Sequence, residues 1–129
     1  MPTPNALAPI GYVAAGGALG SVARWALSTF VAHRFGDWPY GTFLVNISGC
    51  FLIGLFLTLT GERLTWPEQL RWLISIGFIG GYTTFSSYEY ETYRLFEQGR
   101  APAAIAYVTL STALGLIAVA MGAALARKF

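Results

Sequence analysis

One cysteine, one histidine and little charge mark this sequence: its 129 residues include only 8 Lys and Arg against 6 Asp and Glu, or 11% charged in all. An ordinary soluble domain carries about 25%. The lone Cys50 excludes an internal disulfide and a thiolate metal cage, and inside an apolar run it reads as a small core residue. The lone His33 falls at the end of an apolar stretch, a place that suits an interfacial side chain better than a ligand. A nucleophile with an adjacent base, a phosphate-cradling loop and a His/Cys/carboxylate cluster are all missing, so the chain does not read as an enzyme. Nor is a nucleic-acid partner expected.

What is abundant is apolar: 55% of residues are hydrophobic, and the mean hydropathy is +0.55. A bilayer core about 30 Å thick takes about 20 helical residues per crossing, so the length accommodates four crossings with short loops and leaves no room for a soluble domain. The expected fold is an all-α integral membrane protein, one domain over 1–129, with any functional site inside the membrane. Met1 to Pro9 hold none of the basic residues of a secretory signal, and the apolar stretch that follows is too long and glycine-rich to be cleaved, so it is read as a retained helix.

Four helices are predicted at about 10–33, 42–60, 68–96 and 103–126. Gly36, Asp37, Trp38, Pro39 and Gly41 mark the first loop, Gly61 to Pro67 the second, and Gln98, Gly99, Arg100 and Pro102 the third. With both termini on one side, that side carries Arg63, Arg71, Arg127 and Lys128, and the other carries Arg34, Arg94 and Arg100, joined by Arg24 if it reaches the interface. Lys and Arg in short loops set orientation. An even count predicts weak control of orientation, compatible with insertion both ways round and assembly as an antiparallel pair; the alternative is a fixed topology set by some other factor.

Each helix carries residues with a structural and a functional reading. Gly16, Gly20 and Arg24 stand at i, i+4 and i+8 on the first helix. The glycines suit close helix packing, whereas Arg24 either snorkels to headgroups or faces a water-filled vestibule that concentrates anions. Asn46 sits mid-membrane in the second helix, with Thr42 and Gly49 one turn to either side. Its amide either joins helices or donates to a dehydrating anion. In the third helix Gly80, Gly81, Thr83 and Thr84 are poor helix formers in sequence, and a break is expected between Gly80 and Thr84, freeing backbone carbonyls that a bound cation could satisfy; the alternative is an unbroken helix packed through Gly77 and Gly81. Beyond it Phe85, Tyr88 and Thr92 share one face, and Thr84, Ser87 and Glu91 the next. Aromatic edges carry partial positive charge and can line an anion path without trapping the ion, although such residues more commonly pack against lipid or core. Tyr107, Ser111 and Gly115 make a polar stripe on the Ala-rich fourth helix, for which packing is again the commoner role. The first, second and fourth helices contain no carboxylate, which weakens a proton-coupled exporter of small cationic drugs, the alternative transport reading. A non-transporting assembly subunit is a third reading, and it leaves Asn46 and the broken helix without a role.

The run from Gly16 to Trp25, Gly41-Thr42 with Val45-Asn46, and above all Gly77-Phe78-Ile79-Gly80-Gly81-Tyr82-Thr83-Thr84-Phe85-Ser86 followed by Glu91-Thr92 resemble the Fluc (CrcB) family of bacterial fluoride channels along nearly the whole chain. That resemblance implies an antiparallel homodimer in the bacterial inner membrane. Two pores at its interface pass fluoride passively out of the cell, and one central structural Na⁺ is held by backbone carbonyls of both subunits. By position it implies the carbonyls of Gly80 and Thr83 as Na⁺ ligands, Asn46 as a fluoride donor, Phe85 as a pore aromatic, Arg24 at the vestibule, and Tyr107 with Ser111 on a polar track. Tyr88 stands where the family usually has a second Phe, Glu89 where a small residue is common, and Gly115 where some members have Ser.

Overall fold

The computed structural model describes residues 4–129; Met1 to Thr3, part of the N-terminal stretch read above, lie outside it. Helix α1 runs Pro4–Phe35, and α2 runs Tyr40–Thr58 and then widens into a π turn at Leu59–Arg63. Helix α3 covers residues 68–82, as an α turn Glu68–Leu70, a π-helical stretch Arg71–Ile79 and a closing turn Gly80–Tyr82. Two extended residues separate it from α4, Phe85–Glu97, and α5 completes the chain at Ala101–Ala126. The described residues contain no strand. Three helical spans, Ala6–Phe35, Tyr40–Arg63 and Ala101–Ala126, are long and apolar enough to cross a membrane; α3 and α4 are each too short alone.

Four departures from the expected helices have local causes. Helix α1 begins before Ile10, because Pro9 costs it one backbone bond without ending it. Helix α2 loosens early, where the Thr60 hydroxyl donates to the Phe56 carbonyl at 2.9 Å and competes with the regular ladder. The interruption of the third helix is narrower than expected: Gly80 and Gly81 remain helical and only Thr83 and Thr84 are extended. Helix α5 starts at Ala101 with Pro102 in its first turn, where a missing N–H costs nothing, just after Gly99 reverses the chain with φ +71°.

Small residues decide how the helices meet. Helix α1 lies along α3, and α2 along α5. A methyl group on Gly16 or Gly20 would run into the Leu73 or Phe78 carbonyl, and one on Gly77 would lie 2.9 Å from the Gly16 Cα. On the other pair, Gly54 meets the Val119 backbone and Gly122 the Phe51 backbone. Between helices in lipid there is no hydrophobic gain, so such close backbone contact is the main attraction. The packing of the closing turn on Gly17, whose carbonyl would sit 2.6 Å from a Cβ on Gly81, also accounts for the glycine pair staying helical. Large apolar side chains such as Leu19, Trp25, Leu116 and Ile117 point outward. At one end Arg127 clasps Glu62 with two bonds of 3.0 and 3.1 Å, tying the end of α5 to the end of α2.

Overpacking of even a flexible core costs about 1–3 kcal/mol, and here the obstacle is backbone. Gly16→Val is therefore expected to destabilise the protein by at least about 2 kcal/mol. Gly11→Val, at a position with no atom within 4 Å, is its control. Thermal unfolding in detergent, followed by the fraction remaining monodisperse, distinguishes the two.

Candidate functional site

The break between α3 and α4 leaves carbonyls at the end of one helix and N–H groups at the start of the next without helical partners. Three side chains meet this demand. Thr84, extended at φ −149° and ψ 121°, caps α4 by accepting from the Ser87 N–H at 3.3 Å. Asn46 of α2 takes both sides of the same residue: its Nδ2 donates to the Thr84 carbonyl at 2.9 Å, and its Oδ1 accepts from the Thr84 N–H at 2.8 Å. A flipped amide would set donor against donor, so the backbone fixes its orientation. Arg24 of α1 reaches across to donate from Nη1 to the Thr83 carbonyl at 3.1 Å. Nearby, Ser48 and the Tyr82 hydroxyl are 2.8 Å apart, a second link between α2 and the end of α3.

Two recesses flank the break. The first, about 420 Å³, is mostly apolar and is bordered by Asn46, Gly49, Gly80, Thr83, Thr84 and Phe85. The Phe85 ring stands 73% exposed at its lip. The second, about 510 Å³, is polar and is bordered by Arg24, Thr42, Thr84, Ser87 and Glu91, among others. Only Thr84 borders both. A cation and a carboxylate share the second recess without pairing, because each is engaged elsewhere: Arg24 with Thr83, and Glu91 with hydroxyls donated by Thr42 and Tyr107, both at 2.7 Å. Glu91 thereby links α2, α4 and α5 through two charge-assisted hydrogen bonds.

The residues singled out in the sequence thus separate into three places. Asn46, Thr84 and Phe85 gather at the first recess with Gly80 and Thr83, and Arg24, Thr84, Ser87 and Glu91 at the second. Tyr88 and Tyr107 border neither; they pack edge to face behind the break with ring centres 5.1 Å apart, and Trp38 covers Tyr107 at 5.0 Å. The Ser111 hydroxyl, one turn beyond Tyr107, is enclosed and has no hydrogen-bond partner among the described residues. Asn46 takes the helix-joining role given above as one of its two readings, with Thr84 as the partner; one of its two N–H groups is thereby occupied and only the other is free for an anion. The Thr42 bond to Glu91 and the Ser48–Tyr82 link were missed. A buried tyrosine hydroxyl always needs a partner, and that was the available signal for Tyr82.

A model of the CrcB family, described as CrcB-like protein, Camphor Resistance, matches residues 11–123, which include every residue of both recesses. The chain belongs to the CrcB family. Among curated relatives, the Fluoride-specific ion channel FluC of Acidobacterium capsulatum is 46% identical over 112 residues, 86% of this chain and 90% of the relative. The protein of the same name from Solibacter usitatus is 48% identical over 117 residues, 90% and 96% of the two chains, and that from Chloroflexus aurantiacus 45% over 118 residues, 91% and 94%. The CrcB fold of this chain is a multi-pass, all-helical membrane protein and not an enzyme.

A family cation can be tested against the donors present. Among the described residues no group of His, Cys, Asp and Glu could hold a metal, so backbone oxygens are the ligands on offer. Gly80 and Thr83 both border the first recess at the C-terminal, partially negative end of α3, where helical donors run out. That donor chemistry fits a hard monovalent cation, and Gly80 is exposed, so these two carbonyls leave room for further oxygen ligands.

Leaving the Thr84 N–H and carbonyl unpaired costs about 1–3 kcal/mol for each group. Asn46→Ala should therefore speed hydrogen exchange of the Thr84 amide by at least about tenfold. Amides in α5 should keep their rates. Exchange measured by mass spectrometry on overlapping peptides reads both.

Proposed function

We propose that this chain is one protomer of a fluoride-selective channel of the bacterial inner membrane, passing F⁻ passively out of the cell. The observation that carries the reading is that relatives sharing 45–48% identity, and named fluoride-specific ion channels, align over nearly all of this chain. Its geometry supports the same function. An anion is drawn to the second recess by the N–H groups of Arg24 that Thr83 leaves free. Past Thr84 it meets the second N–H of Asn46 and the positive edge of Phe85, which together replace lost water without a full charge that would hold the ion. Tyr107 and Ser111 extend this polar track, and Tyr88 orients Tyr107 by edge-on packing.

In this reading the paired short helices α3 and α4 make a fourth, interrupted crossing. The near-equal Lys and Arg counts on the two sides suit an antiparallel dual-topology homodimer with two pores along its interface. The exposed Phe85 and Gly80 then face the second copy. When bound, Na⁺ would tie the two copies together through the Gly80 and Thr83 carbonyls of each, as a structural ion that is not transported. Hydrogen fluoride crosses bilayers uncharged and dissociates at cytoplasmic pH, and the negative-inside potential drives the anion back out through such a pore. Proton-coupled export of cationic drugs gains no support, because α1, α2 and α5 carry no carboxylate, and Glu91, the acid of the polar recess, ties α2 and α5 together through the Thr42 and Tyr107 hydroxyls.

Protein reconstituted in liposomes should release fluoride to an electrode while retaining chloride, and should do so only when Na⁺ is present. Equal chloride efflux would refute selectivity. Phe85→Ile is expected to abolish fluoride efflux while leaving the dimer intact by size-exclusion chromatography; unchanged efflux would remove Phe85 from the path.

A further inference from the structure

We propose that Arg24 couples the polar recess to the cation site, so that an anion in the recess strengthens Na⁺ binding on the other side of the break. The inference rests on the reading that the Gly80 and Thr83 carbonyls bind Na⁺. Arg24 borders the second recess and not the first, whereas Thr83 borders the first and not the second. The 3.1 Å bond from Nη1 to the Thr83 carbonyl therefore passes from one compartment to a ligand of the other. Its effect on a cation has two parts, both unfavourable. The guanidinium takes one of the two acceptor positions of that carbonyl, and it places a full positive charge a few ångströms from the ion.

Arg24 makes this single side-chain hydrogen bond among the described residues, although a guanidinium carries five N–H donors. Arg24 borders the polar recess, and its remaining donors are left without a partner among the described residues. An anion that pairs with them neutralises the charge felt at Thr83 and pulls the guanidinium toward itself. Both changes favour the cation. Glu91 does not take the anion's part in this structure: its two oxygens accept from Thr42 and Tyr107, and it makes no ion pair with Arg24. By linkage the coupling is reciprocal: Na⁺ raises the affinity of the recess for the anion by the same factor. The cation would then do more than hold the dimer together, since it would also tune how strongly each vestibule collects anions.

The test is Na⁺ binding itself, measured by ²³Na NMR titration of the intact detergent-solubilised protein with and without fluoride, with gluconate replacing it at equal ionic strength. In wild type, fluoride is expected to tighten Na⁺ binding about fivefold, at the lower end of usual coupling. Arg24→Gln, which keeps an N–H donor and loses the charge, should bind Na⁺ about tenfold more tightly without fluoride. It should also no longer respond to fluoride. Arg24→Lys should retain the fluoride effect. Equal wild-type Na⁺ affinities in fluoride and gluconate would overturn the coupling without any variant, as would an undiminished fluoride effect in Arg24→Gln. Wild-type protein that binds no Na⁺ under either condition would overturn the cation site and the coupling with it.

Discussion

The two-bond clasp between the Asn46 amide and the backbone of Thr84 is the constraint on which the remaining architecture depends. An interrupted helix in a bilayer exposes peptide groups where no water can meet them, and each unpaired group costs several kcal/mol. A side-chain amide suits this task, because it presents a donor and an acceptor on separate atoms and can serve a backbone carbonyl and N–H of the same residue together. A carboxylate in that place would only accept, and an ammonium would only donate. Asn46 therefore has to reach Thr84 at one particular height on α2, and that requirement sets the relation of α2 to both α3 and α4.

Close packing supplies the reach. Asn46 is half-buried, and Gly49, one turn further along α2, lies so near the Thr83 methyl group that a Cβ could not be added without movement. On the opposite side Gly16, Gly17 and Gly20 let α1 approach α3 at backbone distance, and the same approach brings Arg24 within reach of the Thr83 carbonyl. The glycines read in the sequence as packing residues and Arg24 read as a functional one thus belong to one arrangement. Without that small-residue seam the guanidinium would be too far from the break.

How far the sequence predicted this differs from residue to residue. Composition and run length were sufficient for the apolar helices, and poor helix formers in succession were sufficient to expect a break. The glycine pair nevertheless stayed helical, because Gly17 packs on it, and the extended residues were the two threonines. The π-helical stretch Arg71–Ile79 was not read from the sequence: Gly77 and three isoleucines weaken an α-helix there without specifying a wider turn, and it lies where α3 rides over the α1 glycines. Tyr88 illustrates a limit of periodicity. It shares a helical face with Phe85 in sequence, yet Phe85 is exposed and Tyr88 is covered by Tyr107, a neighbour 19 positions away that no helical wheel of α4 contains. Likewise the role of Thr42 depends on Glu91 lying opposite it, a fact of tertiary packing.

The treatment of charge around the break follows from the same constraint. A conducting site for an anion needs positive potential, but an unscreened cation at membrane depth would bind the ion too tightly to release it. Here the one cation of the polar recess has part of its donor capacity engaged by a backbone carbonyl, and the one carboxylate is covered by two hydroxyls, so neither presents its full bonding capacity to the recess. The other recess, across Thr84, offers only neutral donors and an aromatic edge, at Asn46, Thr84 and Phe85. The charged groups thus lie at one recess and the neutral donors at the other, and Arg24, Asn46 and Glu91 are each held by a neighbour in the protein.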